Sequence, residues 1–266
     1  MAINYCSLAS GSSGNCHFIG TQTTRILVDI GMSHRYVKKA LASIGEAIET
    51  IDGILLTHEH SDHIKGLKTT LKKEDLKVYV NRKTFECLKE KVREEDLDKF
   101  VIFDKYVDFT LGDLEISSFE ILHDAVDPLG YRFTHGGKIL SVVTDIGAMT
   151  DAVLSKIRQS DFLVLESNHD VNMLMYGAYP YPLKRRIAGD RGHLSNMEAA
   201  KTVFEVFKWG NLKSVVLAHL SKDNNMPELA KLTVQKYLEE RGIDTEYEIN
   251  LDLSYRDKIG KVYRIV

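Results

Sequence analysis

A short segment that follows an apolar run constrains this chain more than any other feature of its sequence. Residues 51–56 have the composition of a buried strand, and the next seven residues are Thr-His-Glu-His-Ser-Asp-His. Along an extended loop, alternate residues point the same way, so His58 and His60 can share one metal ion, while Asp62 and His63 reach a second. A solvated polar loop is the alternative, but so dense a set of ligands makes it the poorer explanation. We therefore predict a site for a pair of metal ions at the end of this strand.

Four other strand-like runs also end in a side chain that can bind a metal ion or carry a proton. These residues are His123, Asp145, Glu166 and His219. Taken alone, a histidine after a strand is more often a hydrogen-bonded structural residue than a ligand. However, crevices outside the carboxyl ends of strands are where α/β proteins commonly build their sites. We expect these residues and the 58–63 segment to converge on one edge of the fold.

Strand-like and helix-like segments alternate along the chain, which predicts sheets covered by helices. Helical patterns cover residues 37–44 and the segment after Ser195, where Ser195 and Glu198 have the spacing of a capping box. With 266 residues and 44% hydrophobic content, one core can include the whole chain. We predict an α/β fold with four α/β/β/α layers, in a single domain of residues 1–266. The predicted strands lie within residues 25–28, 51–56, 76–80, 114–122, 138–144, 162–166 and 214–218.

Charge and cysteine content restrict where the protein works and what it binds. The formal net charge is -3 at pH 7, so a nucleic-acid substrate must be met by a local basic patch rather than by the overall field. Three cysteines without a CxxC pair cannot form a disulfide framework, which favours a reducing compartment. The sequence has no secretory signal pattern and no apolar run near the roughly 20 residues that cross a bilayer. We expect a cytoplasmic protein with no membrane segment.

The arrangement of these residues resembles the metallo-β-lactamase fold over nearly the whole chain. The resemblance rests on the HxHxDH motif at residues 58–63, on the single His, Asp and His residues that follow it, and on Asp29 at the end of an early strand. It implies two divalent cations and a supporting role for Asp29 rather than a role as ligand. The implied ligands of the first cation are His58, His60 and His123, those of the second are Asp62, His63 and His219, and the bridging ligand is Asp145.

The same resemblance favours hydrolysis over redox chemistry. Redox members of the superfamily, the diiron flavoproteins, place a glutamate at the position of His60 and carry a flavodoxin-like extension that this chain lacks. A water molecule that bridges two cations loses a proton readily, which gives a hydroxide nucleophile at neutral pH. Asp62 and Asp145 would then belong to the catalytic centre. A His/Asp site accommodates Zn²⁺, Mn²⁺ or Fe²⁺, and the resemblance favours Mn²⁺ for activity and Zn²⁺ as purified.

Segments near the C-terminus resemble the phosphodiesterase side of the superfamily. They are Gly-His-Leu-Ser at residues 192–195 and the residues at 218–225. In ribonuclease Z-like enzymes, a histidine that matches His193 assists protonation of the leaving group; a structural histidine near a helix cap is the alternative. Together with residues 7–16 and 166–170, the chain closely resembles the bacterial YycJ/WalJ group. That group implies a 5′-to-3′ exonuclease acting on DNA.

Two segments are candidates for contact with a DNA strand. The Gly/Ser loop at residues 9–15 has small side chains and backbone N–H groups that can approach a phosphate, although a simple tight turn explains it equally well. Residues 176–186 combine tyrosines with positive charge, which suits a nucleic-acid strand, and a solvated charged turn is the alternative. The candidate substrate-binding residues are Ser10, Ser12, Ser13, Asn15, Lys184, Arg185, Arg186 and Arg191.

Other functions remain open at the level of sequence. There is no Gly/Pro-rich arm of the kind that ribonuclease Z uses for tRNA, and the compact spacing of His123, Asp145 and His219 leaves no room for an inserted β-CASP domain. A small-molecule hydrolase acting on a thioester, a lactone or a cyclic nucleotide is the competing enzyme, because the same metal site serves all of these substrates. A scaffold protein with structural ions is disfavoured, since structural sites usually fill their coordination with protein ligands. No obligate protein partner is indicated.

Overall fold

Two sheets of seven strands each form the centre of the computed structural model, which describes residues 2–266. The strand order is β14-β1-β2-β3-β4-β5-β6 in the first sheet and β13-β12-β11-β10-β9-β8-β7 in the second. In chain order the strands are β1 (Ile3–Ala9), β2 (Cys16–Gly20), β3 (Arg25–Val28), β4 (Gly53–Leu55), β5 (Val78–Asn81), β6 (Phe100–Phe103), β7 (Phe109–Leu111), β8 (Leu114–Glu120), β9 (Leu129–His135), β10 (Lys138–Val143), β11 (Phe162–Glu166), β12 (Ser214–Ala218), β13 (Asn250–Leu253) and β14 (Tyr263–Ile265).

Helices cover the outer faces of both sheets, so the predicted four-layer α/β/β/α sandwich is confirmed. Buried residues of α1 and α3 pack with the first sheet, and those of α5, α8 and α9 pack with the second. No helix in the described part of the chain is long and apolar enough to cross a membrane. The helices are α1 (His34–Ser43), α2 (Ser61–Ile64), α3 (Leu67–Lys73), α4 (Arg82–Leu88), α5 (Asp151–Ile157), α6 (Val171–Tyr176), α7 (Tyr181–Ile187), α8 (Asn196–Phe207) and α9 (Pro227–Glu239), and short 3₁₀ helices lie at Ile48–Thr50 and Glu94–Lys99.

Parallel pairing brings the ends of several strands to the same edge of the sandwich. Strands β3, β4 and β5 run parallel in the first sheet, and β10, β11 and β12 run parallel in the second. Strand β8 is antiparallel to β9, which is antiparallel to β10, so β8 and β10 point the same way. Because the carboxyl ends of parallel strands meet at one edge, the residues that follow these strands can face a common crevice.

Two local predictions differ from the structure. The metal-ligand segment was expected to be an extended loop, but Asp62 and His63 lie in the helical turn α2. The chain turns there because the backbone N–H of His63 bonds to the carbonyl of His60. The capping box forms on one side: Ser195 Oγ accepts a hydrogen bond from the N–H of Glu198, whereas the Glu198 side chain accepts one from Lys201 instead of returning to the cap.

The core between the two sheets includes one polar link close to the metal-ligand segment. Tyr131 of β9 is fully buried, and its hydroxyl donates a 2.7 Å hydrogen bond to the carbonyl of Leu56, just after β4. This bond joins the second sheet to the strand that leads into His58. It satisfies a backbone carbonyl that would otherwise be buried among apolar side chains.

Tyr131→Phe is expected to destabilise the fold by about 1–3 kcal/mol, because the Leu56 carbonyl would stay buried without its donor. Urea unfolding followed by circular dichroism measures this free energy. Tyr106→Phe is the matched control: it removes a hydroxyl that bonds to Glu120 from a side chain that is 76% exposed, and its effect should stay within about 0.5 kcal/mol. Equal stability of the two variants would contradict the structural role of the link.

Candidate metal centre

The crevice at the edge of the sandwich collects the histidines and aspartates of both sheets into adjoining groups. His58, His60 and His123 form one group, and Asp62, His63 and His219 form another. In each group the candidate ligand atoms all lie within 4.8 Å of one another. The Asp145 carboxylate lies between the two groups, with one oxygen 3.1 Å from His63 Nε2 and the other 3.8 Å from His123 Nε2. The sequence-predicted ligands therefore come together in two sets with Asp145 between them.

Three residues of this crevice adopt a left-handed backbone conformation although none is glycine. Asp29, Asp145 and His219 have φ values of 61°, 58° and 53°, and each directly follows a strand or lies one residue beyond it. The left-handed region costs an L-residue about 1–2 kcal/mol, and Asp and His tolerate it better than branched residues. Such strain is retained where the surrounding contacts fix the side chain, as they do here.

Hydrogen bonds fix the ring orientation of four histidines in the same way. The Nδ1 atoms of His63 and His219 lie 2.7 Å from the carboxylates of Asp29 and Glu166, and His123 Nδ1 lies 3.0 Å from the carbonyl of Gly192. These oxygens only accept, so each Nδ1 carries a proton and each Nε2 faces the crevice, where a bound cation would take the place of any proton on that nitrogen. His58 Nδ1 is held likewise, 3.0 Å from Thr57 Oγ1. Imidazoles fixed in this way are typical metal ligands.

Asp29 holds the first of these networks together. Its carboxylate is 1% exposed and accepts hydrogen bonds from the backbone N–H and the hydroxyl of Thr57, both at 2.8 Å, as well as from His63. Because the Thr57 hydroxyl donates to Asp29, its lone pair is free to accept the His58 Nδ1 proton. Asp29 thus positions one histidine of each group. The resemblance implied a supporting role for Asp29, but nothing in the sequence indicated a role for Thr57.

Glu166 accepts hydrogen bonds in the second sheet as Asp29 does in the first. One carboxylate oxygen accepts hydrogen bonds from His193 Nδ1 at 2.9 Å and from His219 Nδ1 at 2.7 Å. The other accepts from the backbone N–H groups of Ile146 and Leu194, which directly follow Asp145 and His193. Burial alone would raise the pKa of Glu166, but His193 and His219 outweigh it and lower the pKa to about 2. A single buried carboxylate therefore fixes residues from three separate segments.

The charges of the buried histidines respond to these carboxylates. Burial lowers the pKa of His58 well below its ordinary value, so this ring is neutral. For His63 and His219, burial has the same tendency, but Asp145 and the other neighbouring carboxylates outweigh it; the pKa of His63 lies well above its ordinary value and that of His219 rises to about 10. The crevice thus strongly favours positive charge, because it contains four carboxylates. They belong to Asp29, Asp62, Asp145 and Glu166.

The donor atoms fit a pair of divalent cations. His58 Nε2 and His219 Nε2 are buried and have no hydrogen-bond partner within the described residues. The nearest carboxylate oxygen to His219 Nε2, on Asp62, is 3.7 Å away, which is too long for a hydrogen bond. Buried polar atoms without a partner are rare, and here they point at other ligand atoms. Imidazole and carboxylate groups in this arrangement suit Zn²⁺, Mn²⁺ or Fe²⁺.

The Gly/Ser loop is divided into buried and exposed residues. Ser10 and Asn15 are buried: Ser10 Oγ donates to the Asn15 side chain and accepts from the backbone N–H of His219 at 2.9 Å. The Asn15 amide nitrogen lies 3.1 Å from His63 Nε2. These contacts support a positioning role for both residues, whereas Ser12 and Ser13 are exposed and accessible to a substrate. The sequence alone could not separate the two pairs.

The basic segment forms helix α7 beside the crevice. Arg186 Nε lies 2.5 Å from the carboxylate of Asp124, the residue after His123, and Lys184 donates to the carbonyl of Met175. Arg185 and Arg191 are exposed. A cavity of about 200 Å³ opens between this helix and the histidines; it is lined by His193, Ser12, Tyr179, Arg186 and Ser221, among others, and is called the His193 cavity below.

Both the fold and the metal-binding geometry are those of a metallo-β-lactamase-type protein. A family model described as the beta-lactamase superfamily domain matches residues 24–220. The chain therefore belongs to the beta-lactamase superfamily. The structure of the metallo-β-lactamase fold protein YhfI from Bacillus subtilis covers 99% of this chain and 100% of its own, with a TM-score of 0.74 and 16% identity, and so shows the same fold.

Two bacterial proteins are similar to this chain over nearly its whole length. Exodeoxyribonuclease YycJ from Bacillus anthracis is 41% identical over 242 residues, which cover 91% of both chains. Exodeoxyribonuclease WalJ from Streptococcus pneumoniae is 37% identical over 254 residues, which cover 94% of both chains. The chain thus aligns with these two proteins over nearly its full length. The predicted resemblance to the YycJ/WalJ group is confirmed.

Asp29→Ala is expected to lower metal affinity by about 10–100-fold, because groups that orient a ligand histidine typically contribute that much. Competition with a chromophoric chelator measures the affinity for Zn²⁺ and Mn²⁺. Asp52→Ala is the control, since Asp52 also accepts a backbone hydrogen bond near a strand of the same sheet but is exposed. Wild-type affinity in the Asp29 variant would show that His63 and His58 do not depend on this carboxylate.

Proposed function

We propose that this protein is a metal-dependent phosphodiesterase that degrades DNA as a 5′-to-3′ exonuclease. The observation that carries the proposal is the set of four histidines whose Nε2 atoms face one crevice, with Asp145 between two ligand groups. The near full-length similarity to two proteins named exodeoxyribonucleases supports the substrate class. The proposed ligands are His58, His60, His123 and Asp145 for one cation and Asp62, His63, His219 and Asp145 for the other.

A bound pair of divalent cations supplies a nucleophile at neutral pH and stabilises the negative charge that develops on the attacked phosphate. The chain itself sets the geometry for that chemistry. Asp29 and Glu166 hold His63 and His219 in fixed tautomers, so these rings need no reorganisation when they bind. Asp145, fixed by its left-handed backbone and by the Glu166 bond to the next N–H, presents an oxygen to each group.

His193 is the proposed general acid. Its Nδ1 donates to Glu166 and lies 3.9 Å from an Asp145 oxygen, its side chain is 22% exposed, and it lines the His193 cavity. A histidine held at one nitrogen by a buried carboxylate can give a proton from the other nitrogen to an alkoxide leaving group. Glu166 fixes the ring for this transfer. The leaving oxygen of the phosphodiester would therefore lie on the side of the crevice next to α7.

The substrate strand is proposed to pass over the exposed part of the Gly/Ser loop and along α7. Ser12 lines the His193 cavity, and Ser13 is exposed next to it. Lys184, Arg185, Arg186 and Arg191 add positive charge to the same side, although Arg186 is already paired with Asp124.

Mn²⁺ is proposed as the activating metal, with Zn²⁺ compatible with the same ligands. We also propose that residues 1–266 act as one catalytic domain without an inserted β-CASP domain. Three free cysteines, two of them buried, fit a reducing compartment, and we propose the cytoplasm.

Asp145→Ala is expected to abolish release of nucleotides from the 5′ end, because the variant lacks the ligand shared by both groups. The measurement is a time course on 5′-labelled and 3′-labelled duplex and single-stranded DNA with Mn²⁺. The loss of activity in Asp145→Ala should exceed the roughly 10–100-fold loss that is typical of a supporting residue. The control is Asp151→Ala, at the exposed start of α5, which should keep wild-type activity. Failure of the wild type to cleave DNA, with turnover of a small ester, would favour the small-molecule hydrolase instead.

His193→Ala is expected to slow turnover by about 10²–10⁴-fold and to leave metal content intact, because general acid catalysis contributes that range. Single-turnover cleavage and metal analysis of the same preparation test the two parts. A p-nitrophenolate leaving group needs little protonation, so the cleavage rate of a substrate that carries it should fall much less in the variant than the cleavage rate of DNA. Equal losses of rate on both substrates would contradict the role of His193 as general acid. The control for histidine removal is His135→Ala, next to the opposite edge of the sheet.

A further inference from the structure

A second cavity of about 200 Å³ adjoins the Gly/Ser loop at Ser10. Lys222 and Arg256 contribute its two cationic side chains and Asp257 an acidic one, and Ser221 and Tyr255 also line it. It is called the Arg256 cavity here. The candidate substrate-binding residues from the sequence include neither cation, because Lys222 and Arg256 are far apart in the chain.

Both cations are held on a frame that is tied to the metal centre. The backbone N–H of Ser10 bonds to the carbonyl of Tyr255 at 2.9 Å, and Ser254 bonds to the carbonyl of Leu217 through its N–H at 2.8 Å. Leu217 belongs to β12, the strand that ends just before His219. Lys222 follows three residues after His219 on the same connection. The backbone that carries the two cations is therefore tied to the second ligand group.

Neither cation forms an ion pair within the described part of the chain. Across residues 2–266, no carboxylate oxygen lies within 4.0 Å of the Lys222 or Arg256 side-chain nitrogens, in contrast to Arg186, which is paired with Asp124. Arg256 Nε is also buried without an acceptor. A guanidinium group without an acceptor inside the protein keeps N–H donors available for an anionic ligand.

Gly11 packs directly against Arg256. Its φ is +150°, a conformation that favours glycine, and a Cβ atom at this position would lie 3.5 Å from Arg256 Nε. A side chain at residue 11 would therefore rest on the guanidinium group. The glycine of this loop thus matters for the Arg256 cavity as well as for the turn.

Ser221 lines both the Arg256 cavity and the His193 cavity, so the two cavities adjoin the same residue. We propose that Lys222 and Arg256 bind a non-scissile phosphate of the DNA strand whose scissile phosphate lies at the metal centre. This inference rests on the proposed function and adds a second anchoring point to it. The strand would cross the Gly/Ser loop, with α7 and His193 on one side and the Lys222–Arg256 pair on the other.

The test compares two double variants that remove the same charge. Lys222→Gln/Arg256→Gln removes the proposed subsite, while Lys213→Gln/Lys231→Gln removes two cations that line a cavity near the opposite end of β12. Fluorescence anisotropy with 3′-labelled duplex gives the DNA affinity over a range of salt concentrations, with protein as purified and no added Mn²⁺. KM and kcat for DNA cleavage are then measured with Mn²⁺, and turnover of bis(p-nitrophenyl) phosphate reports on the metal centre itself.

If the subsite binds a phosphate, the plot of log affinity against log salt should be shallower for the subsite variant than for the wild type. The expected difference in slope is about 0.9 for each duplex phosphate that the variant no longer contacts. The KM for DNA should rise roughly tenfold in the subsite variant, as expected for loss of a charge-assisted contact, and the ratio of DNA cleavage to small-ester turnover should fall. The control variant should match the wild type, and the charge-conserving Lys222→Arg/Arg256→Lys should recover most of the slope.

Two results separate this inference from the function on which it rests. If the subsite variant has the same salt slope and KM as the control variant, the subsite is overturned even though the enzyme degrades DNA. If the wild type cleaves no DNA but the slope difference remains, the exonuclease proposal fails while the phosphate contact stands. Equal losses on DNA and on the small ester would also overturn the subsite, because they would indicate a structural role at the metal centre.

Discussion

The metal centre depends on hydrogen bonds that fix which nitrogen of each histidine carries the proton. Asp29 and Glu166 are buried carboxylates, one from each sheet, and they accept two of these four bonds. Each holds a histidine at Nδ1 and directs Nε2 into the crevice. Without them the rings could rotate, and the ligand groups would lose their common orientation.

The two-sheet architecture is what allows such a centre to exist. Carboxylates and imidazoles are costly to bury unless they are paired, and one sheet edge alone would offer only some of the partners. Parallel strands from both sheets end at the same edge, so Asp29 and His63 from the first sheet meet Asp145 and His219 from the second. The strained backbone at three of these residues is retained because the side chains are held from several directions. Fold and site therefore constrain each other.

Local spacing explains which features could be predicted from the sequence. The four ligand-type residues within residues 58–63 are neighbours in the chain, and strand-end residues such as Asp145 follow apolar runs, so both signals are visible in one dimension. The helical turn at Asp62 and His63 was not predicted, because four residues give no periodicity to detect. The burial of Ser10 and Asn15, the several hydrogen bonds of Glu166 and the position of Arg256 depend on contacts between segments that are far apart in sequence. The role of Glu166 was accordingly left open by the sequence.

The central claim is that these buried groups form two adjoining cation sites that share Asp145. Anomalous diffraction from crystals of the protein grown with Mn²⁺ tests it most directly, with data collected on both sides of the manganese absorption edge. The predicted result is two anomalous peaks about 3.5–4 Å apart, one next to His58, His60 and His123 and the other next to Asp62, His63 and His219, with an Asp145 oxygen near each. A single peak, or manganese bound only outside this crevice, would contradict the claim.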